Sequence, residues 1–156
     1  MIDAGSTTAA FAEELARISG IMVVTNSLTI ANTLQAAESD IELLLLGGYL
    51  LTDVPATYGE LTLSEIRRFT ADFAFVGPVS VDERGAYDFA LHEAEVATAM
   101  IERSQQTVVL ADSSKLGRPS RVRYCEAESI SVLISDSGAD DGALAELRGG
   151  GIGAIL

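Results

Sequence analysis

The sequence predicts an α/β fold, a mostly parallel sheet with helices on both faces. Apolar runs rich in Val, Ile, Leu and Phe recur along the chain, without the polar alternation of a sheet that has one wet face. Between them lie stretches whose apolar residues repeat at helical spacing, and the two patterns alternate to the end of the chain. Gly, Ser, Thr, Asn and Asp also cluster just after the carboxyl ends of the predicted strands. In an open parallel sheet those ends share one edge, and ligands bind there at the switch point. The architecture expected is Rossmann-like.

The elements follow in order. Met1, Ile2 and Asp3 form a short apolar lead-in to a Gly-Ser-Thr-Thr turn, Gly5 to Thr8. Phe11, Leu15 and Ile18 then fall at i, i+4 and i+7 and predict an amphipathic helix. Residues 21–24 are a buried strand closed by Thr25-Asn26-Ser27, and the next helix carries Ile30, Ala31, Leu34 and Ala37 on one face. Residues 41–46 form a strand ended by Gly47-Gly48. Residues 49–58, with Pro55, predict a loop, and Gly59 precedes a helix with Leu63 and Ile66 inward. Residues 72–77 are a fourth strand, closed by Pro78. Residues 79–91 predict a loop, and a helix near residues 92–104 buries Val96, Ala99 and Met100. Residues 107–111 are a fifth strand ending at Asp112-Ser113-Ser114-Lys115. A loop with Arg118, Pro119, Arg121 and Arg123 follows, then a strand at 131–134, a short helix at 142–147 and a strand at 152–156.

Composition narrows the function. The 156 residues suit one domain with a substantial core. No apolar run approaches a membrane span, and residues 1–8 lack a secretory signal pattern. Cys125 is the only cysteine and His92 the only histidine, so neither a disulfide nor a zinc site can be built within the chain. A reducing, cytoplasmic setting is expected. The net charge of −13 repels nucleic acid, whose binding rests on neutralised phosphates. This chain is therefore expected not to bind DNA on its own.

The stretch around Gly5 carries the chemistry. Gly5 allows a tight turn, and Ser6, Thr7 and Thr8 stand where a helix has unpaired N–H groups. Such a start cradles a phosphate through N–H groups, the helix dipole and hydroxyls. It can equally be plain capping. The other strand-end motifs converge on the same sheet edge, which favours the anion site.

Several of these segments resemble the effector domain of DeoR-family transcriptional regulators. They are residues 3–8 (DAGSTT), 24–32 (VTNSLTIAN), Leu46-Gly47-Gly48, Gly59-Glu60, 71–77 (ADFAFVG) and 110–118 (LADSSKLGR). Residues 58–63 and Leu91-His92-Glu93 are most similar to the glycerol-3-phosphate repressor branch. The resemblance implies a fold like ribose-5-phosphate isomerase and the CoA transferases. It implies a sensor of a phosphorylated sugar or polyol that relays to an N-terminal helix-turn-helix DNA-binding domain. Residue 1 falls inside the first strand, so that domain is expected to be absent from this chain. DNA would be a partner only through it. A homodimer or homotetramer is implied, with no cofactor, metal, membrane or catalytic residue.

Carried over, the resemblance assigns Gly5, Ser6, Thr7 and Thr8 to the phosphate, with Asp3 orienting the turn. Thr25 and Asn26 would contact the sugar, Gly47 and Gly48 would allow close approach, and Glu93 would accept from hydroxyls. Asp112 and Lys115 would complete the site, Lys115 as its cation. His92 would stand near the site without a catalytic role. Two departures stand out: Leu51 and Ala97 occupy positions where the family usually places basic residues. Two alternatives remain at this point. A sugar-phosphate isomerase would draft Asp88, Glu93, Asp112 and Lys115, although no paired-carboxylate motif is evident. A dimerisation module with a vestigial pocket would suit Leu51 and Ala97. A CoA transferase would need a nucleophilic glutamate in a glycine-rich context, which is not found.

Overall fold

The computed structural model describes residues 1–38 and 40–156. Its first half runs α1 (Ser6–Leu15), β1 (Ile21–Thr25), α2 (Leu28–Ala36), β2 (Ile41–Leu45), β3 (Tyr49–Leu50), β4 (Thr57–Tyr58), α3 (Glu60–Ile66) and β5 (Ala71–Val76). The second half runs β6 (Ser80–Asp82), β7 (Gly85–Asp88), α4 (Leu91–Glu102), β8 (Ser104–Leu110), β9 (Val122–Glu126), β10 (Val132–Ile134), α5 (Asp141–Gly149) and β11 (Ala154–Ile155).

Ile2 joins the two halves of the main sheet. It bridges Thr25 on one side and Phe75 on the other, both in parallel. Its N–H donates to the Val24 carbonyl at 2.9 Å, and the Phe75 N–H donates to the Met1 carbonyl at 2.9 Å. Across this seam the order is β2, β1, residues 1–3, β5, β8, β10, β11, and every pairing is parallel. The chain thus winds outward from residues 1–3 in one direction through β1 and β2. It then returns and winds outward in the other direction through β5, β8, β10 and β11. The reversal lies between residues 1–3 and β5, which is the topological switch point of a Rossmann-like sheet.

Alternation along the strands feeds both faces. Ile2 and Val23 pack with Ala12 and Leu15 of α1 and Ile30 and Leu34 of α2. Met1 and Val24 face the opposite way, onto Ile66 of α3 and Val96, Ala99 and Met100 of α4. A third cluster joins Val76 and Val109 to Val81, Ala86 and Tyr124 of a small antiparallel sheet, β6-β7-β9.

That small sheet is the main departure from the expectation of loops at 79–91 and 118–123. Its strands are short, and β7 is held by β9, with Gly85 opposite Glu126. Such non-local pairing leaves little periodicity in either segment. Residues 49–58 likewise close into the β3–β4 pair. Helix α1 ends at Leu15, leaving Ile18 52% exposed beyond it, and Ala37 is an exposed C-cap of α2. The final strand is shorter than expected, Ala154–Ile155.

Candidate functional site

The carboxyl ends of the strands build one polar cavity at the switch point. Asp3 ends the central segment, and both its carboxylate oxygens accept the Gly77 N–H, at 3.0 Å each, just beyond β5. This contact ties the two sides of the reversal together. Burial pushes the Asp3 carboxyl up to about 7, against the opposing pull of the Gly77 hydrogen bond.

Helix α1 starts beside it. Its N-cap is Gly5, and no side chain caps it. Ser6, Thr7 and Thr8 lie inside the helix, so plain capping by these hydroxyls is not what the turn does. Gly5 itself is extended, with φ −171°, a conformation open to any residue. The sharp turn expected there is not what calls for glycine. The Thr8 hydroxyl is fully buried and donates to the carbonyls of Asp3 and Gly5, at 3.0 and 3.1 Å, stitching the turn from within.

The cavity measures about 610 Å³. One wall is Gly5 and Ser6 of the α1 start, with Ser27 and Thr29 at the start of α2. Asp53 and Pro55 of the β3–β4 loop line it beside the start of α2, where the Leu28 N–H donates to the Pro55 carbonyl at 2.8 Å, and Gly77 and Pro78 after β5 line it beside Gly5. Asp88 and Phe89, at the end of β7, and Glu93 of α4 close another side. Lys115 and Arg118, beyond β8, supply the cations. A small extension of about 20 Å³ lies beside it, lined by Asp3, Asn26, Leu51, Tyr58, His92, Asp88 and Glu93.

Lys115 is positioned by its own turn. Residues 113–115 form a 3-10 turn whose cap is Asp112, accepting the Ser114 N–H at 3.0 Å. The Lys115 ammonium lies 3.4 Å from the Asp112 carboxylate and donates to the Thr7 hydroxyl at 3.1 Å. Arg118 donates to the Ser114 carbonyl at 2.8 Å, bracing the same turn. At the acidic side, burial and the adjacent Asp88 carboxylate push Glu93 up to about 7. Asp88 accepts the Phe89 N–H at 2.6 Å. The Asn26 amide donates to the Thr57 carbonyl at 2.9 Å, while its own oxygen is buried with no hydrogen-bond partner. The His92 ring packs on Tyr58, with centroids 5.1 Å apart.

Of the residues singled out in the sequence, Gly5, Ser6, Glu93 and Lys115 line the large cavity, and Asp3, Asn26 and Glu93 line its extension. Thr7 and Asp112 act behind the wall, through Lys115. Thr8, Thr25, Gly47 and Gly48 do not line either cavity. Thr25 accepts the Ser27 N–H at 3.1 Å and shapes the turn into α2. The Gly47 N–H donates to the Glu65 carboxylate at 2.7 Å. At Gly48 the close neighbour is the chain itself: a Cβ would fall 2.6 Å from the Tyr58 carbonyl oxygen. Leu51 lines the extension, whereas Ala97 is buried in the core beside Val81 and Tyr124. Sequence reasoning passed over Asp53 and Phe89, and named Arg118 in its motif without assigning it to the site. Each comes from a segment whose position depends on long-range packing.

Among the described residues no three His, Cys, Asp or Glu side chains are grouped to hold a metal ion, and no helix is long and apolar enough to cross a membrane.

Fold and cavity together define an α/β domain with a small-molecule-sized receptacle at its switch point. The model of the DeoR C-terminal sensor domain matches residues 1–137, and the chain belongs to that family. It is similar to the glycerol-3-phosphate regulon repressor of Escherichia coli K12, 34% identical over 87% of this chain and 54% of that protein. It is also similar to the HTH-type transcriptional repressor GlcR of Bacillus subtilis, 34% identical over 87% of this chain and 52% of that protein. The HTH-type transcriptional regulator GlpR of Haloferax volcanii is 33% identical over 96% of this chain and 58% of that protein. The chain thus spans about half the length of these curated relatives. It is a regulatory sensor domain of the kind found in transcriptional repressors, and an enzyme such as the isomerase alternative is not indicated.

Proposed function

We propose that this domain senses a phosphorylated sugar or polyol and that the intact protein relays occupancy of the cavity to a DNA-binding domain. The observation that carries the reading is the uncapped start of α1 at the wall of a 610 Å³ cavity, with Lys115 held over its first turn. Uncapped N–H groups and the positive helix end favour an anion, and the ammonium of Lys115 adds a compact point charge. Ser6 offers a hydroxyl on the same wall. Asn26 and Glu93 supply acceptors for ligand hydroxyls deeper in. Leu51 gives the extension an apolar side chain where the resemblance implies a basic one, which suits a changed effector.

The reading includes a cytoplasmic regulator that works as a homodimer or homotetramer, the usual way to pair DNA-binding domains on a two-fold operator. Light scattering on the purified chain tests the assembly. A thermal-shift screen of sugar phosphates and polyol phosphates against their unphosphorylated parents tests the ligand class. A phosphorylated ligand at a hundred times its dissociation constant should stabilise by about 2.7 kcal/mol. Stabilisation by parents and phosphates alike would refute the phosphate-centred site.

A further inference from the structure

Resting on that phosphate site, we propose that the ligand also carries a primary ammonium group, seated where Asp88 and Glu93 close the junction of the cavity and its small extension. Both carboxylates line both cavities. Asn26 completes the corner from the wall of the extension.

The argument starts from an unmatched acceptor. Asn26 is 5% exposed, and its amide oxygen has no partner. Its orientation is set by the amide nitrogen, which donates to the Thr57 carbonyl at 2.9 Å; a flipped amide would set oxygen against oxygen. A buried acceptor without a donor is costly, and few are left so in folded proteins. The side chains around it do not supply the missing donor: the Thr57 hydroxyl is spent on the Asn26 and Leu46 carbonyls, and neither the Tyr58 hydroxyl nor His92 bonds the Asn26 oxygen. Asp88 and Glu93 are acceptors when ionised, and Lys115 and Arg118 line the large cavity but not the extension. His92 is the only basic side chain in the wall of the extension among the described residues.

A hydroxyl brings one donor to this corner; an ammonium brings three, with a charge that offsets the burial and the Asp88 repulsion that otherwise hold the proton on Glu93. The space agrees. An extension of about 20 Å³ accommodates one group the size of a water molecule. The large cavity is charged to match. A phosphate on the α1 start takes up Lys115 and Arg118, leaving Asp53, Asp88 and Glu93 without a cation on the cavity wall. A zwitterionic amino phosphate satisfies both ends at once.

The test is calorimetric titration of the purified chain near neutral pH with two matched pairs and with inorganic phosphate. The pairs are glucosamine 6-phosphate with glucose 6-phosphate, and serinol phosphate with glycerol 3-phosphate. In at least one pair the amine is expected to bind about tenfold more tightly than its hydroxyl parent, the gain of a charge-assisted contact. The amine-to-hydroxyl ratio should fall to near one in Glu93→Gln and in Asp88→Asn. Parents binding as tightly as amines in both pairs would overturn the inference while leaving the phosphate site standing, and so would a preference that survives both substitutions. No binding by any of the five probes would remove the phosphate site and this inference with it. Should a variant fail to fold, as circular dichroism would report, the comparison on the unmodified chain decides alone.

Discussion

The Lys115 ammonium donates a 3.1 Å hydrogen bond to the Thr7 hydroxyl, across 108 residues of sequence. The contact draws the turn after β8 onto the first turn of α1, so that the cation and the helix N-terminus share one wall. It also holds the lysine before any ligand arrives, which lowers the ordering cost of binding.

Lys115→Ala is therefore expected to weaken binding of a phosphorylated ligand by about 1.5–3 kcal/mol, the range of hydrogen bonds to charged groups. The loss should be larger at low salt than at high salt, since the contribution is Coulombic. Thr7→Ala should weaken binding less, because it frees the lysine without removing it. Titration of the three proteins at two ionic strengths measures both effects, and unchanged affinity in Lys115→Ala would place the phosphate elsewhere.

The two raised carboxyls predict how stability follows pH. Asp3 and Glu93 both titrate near 7 in the folded chain, well above their ordinary values of 3.8 and 4.5. The folded state then holds protons that the unfolded state releases, so these groups stabilise the fold at low pH and lose that contribution as pH rises toward 7. Asp3→Asn should flatten this fall while keeping an acceptor for the Gly77 N–H. Denaturant unfolding of both proteins across the range from about pH 4 to about pH 8 compares the slopes. A steeper fall in the variant would contradict the assignment.

The glycines should separate sharply. Gly48 has φ +151°, and a Cβ there would lie 2.1 Å from the Thr62 hydroxyl and 2.6 Å from the Tyr58 carbonyl oxygen. Gly48→Ala is expected to cost about 1–3 kcal/mol of stability, the scale of strained backbone positions. Gly5→Ala meets its nearest atom, the Thr8 hydroxyl oxygen, at 3.2 Å and should fold nearly as well as the parent. Equal losses in thermal unfolding would rule out this distinction.

Tyr124 offers a substitution that should do no harm. Its hydroxyl is buried without a hydrogen-bond partner. An unpaired buried hydroxyl costs desolvation and returns nothing, so Tyr124→Phe should be neutral or stabilising by about 1 kcal/mol. A clear drop in melting temperature would mean that the hydroxyl has a partner, such as an ordered water.

The chain alone should not shift a duplex DNA at physiological salt, because a net charge of −13 opposes the phosphate backbone. A sequence-dependent gel shift by this chain would overturn that.

Whatever is periodic or local in this protein can be read from its residues. Alternation along residues 1–3 and β1 sends Ile2 and Val23 to one face and Met1 and Val24 to the other, and the apolar stripe of α2 meets the first of these faces. The polar punctuation after the parallel strands places Asp3, Gly5, Ser6 and Lys115 at one edge, because parallel strands have their carboxyl ends in common, whereas Glu93 arrives from the first turn of α4. Which of those residues face a ligand is decided in three dimensions. Thr8, Thr25 and Gly48 have the residue types of a binding loop but spend their hydrogen bonds or their space on the chain itself. Asp88 and Phe89 reach the cavity because β7 pairs with β9, and Arg118 because the turn after β8 folds back on Ser114. The sequence carries residue types and periods, whereas contacts between distant segments exist only once the sheet has brought them together.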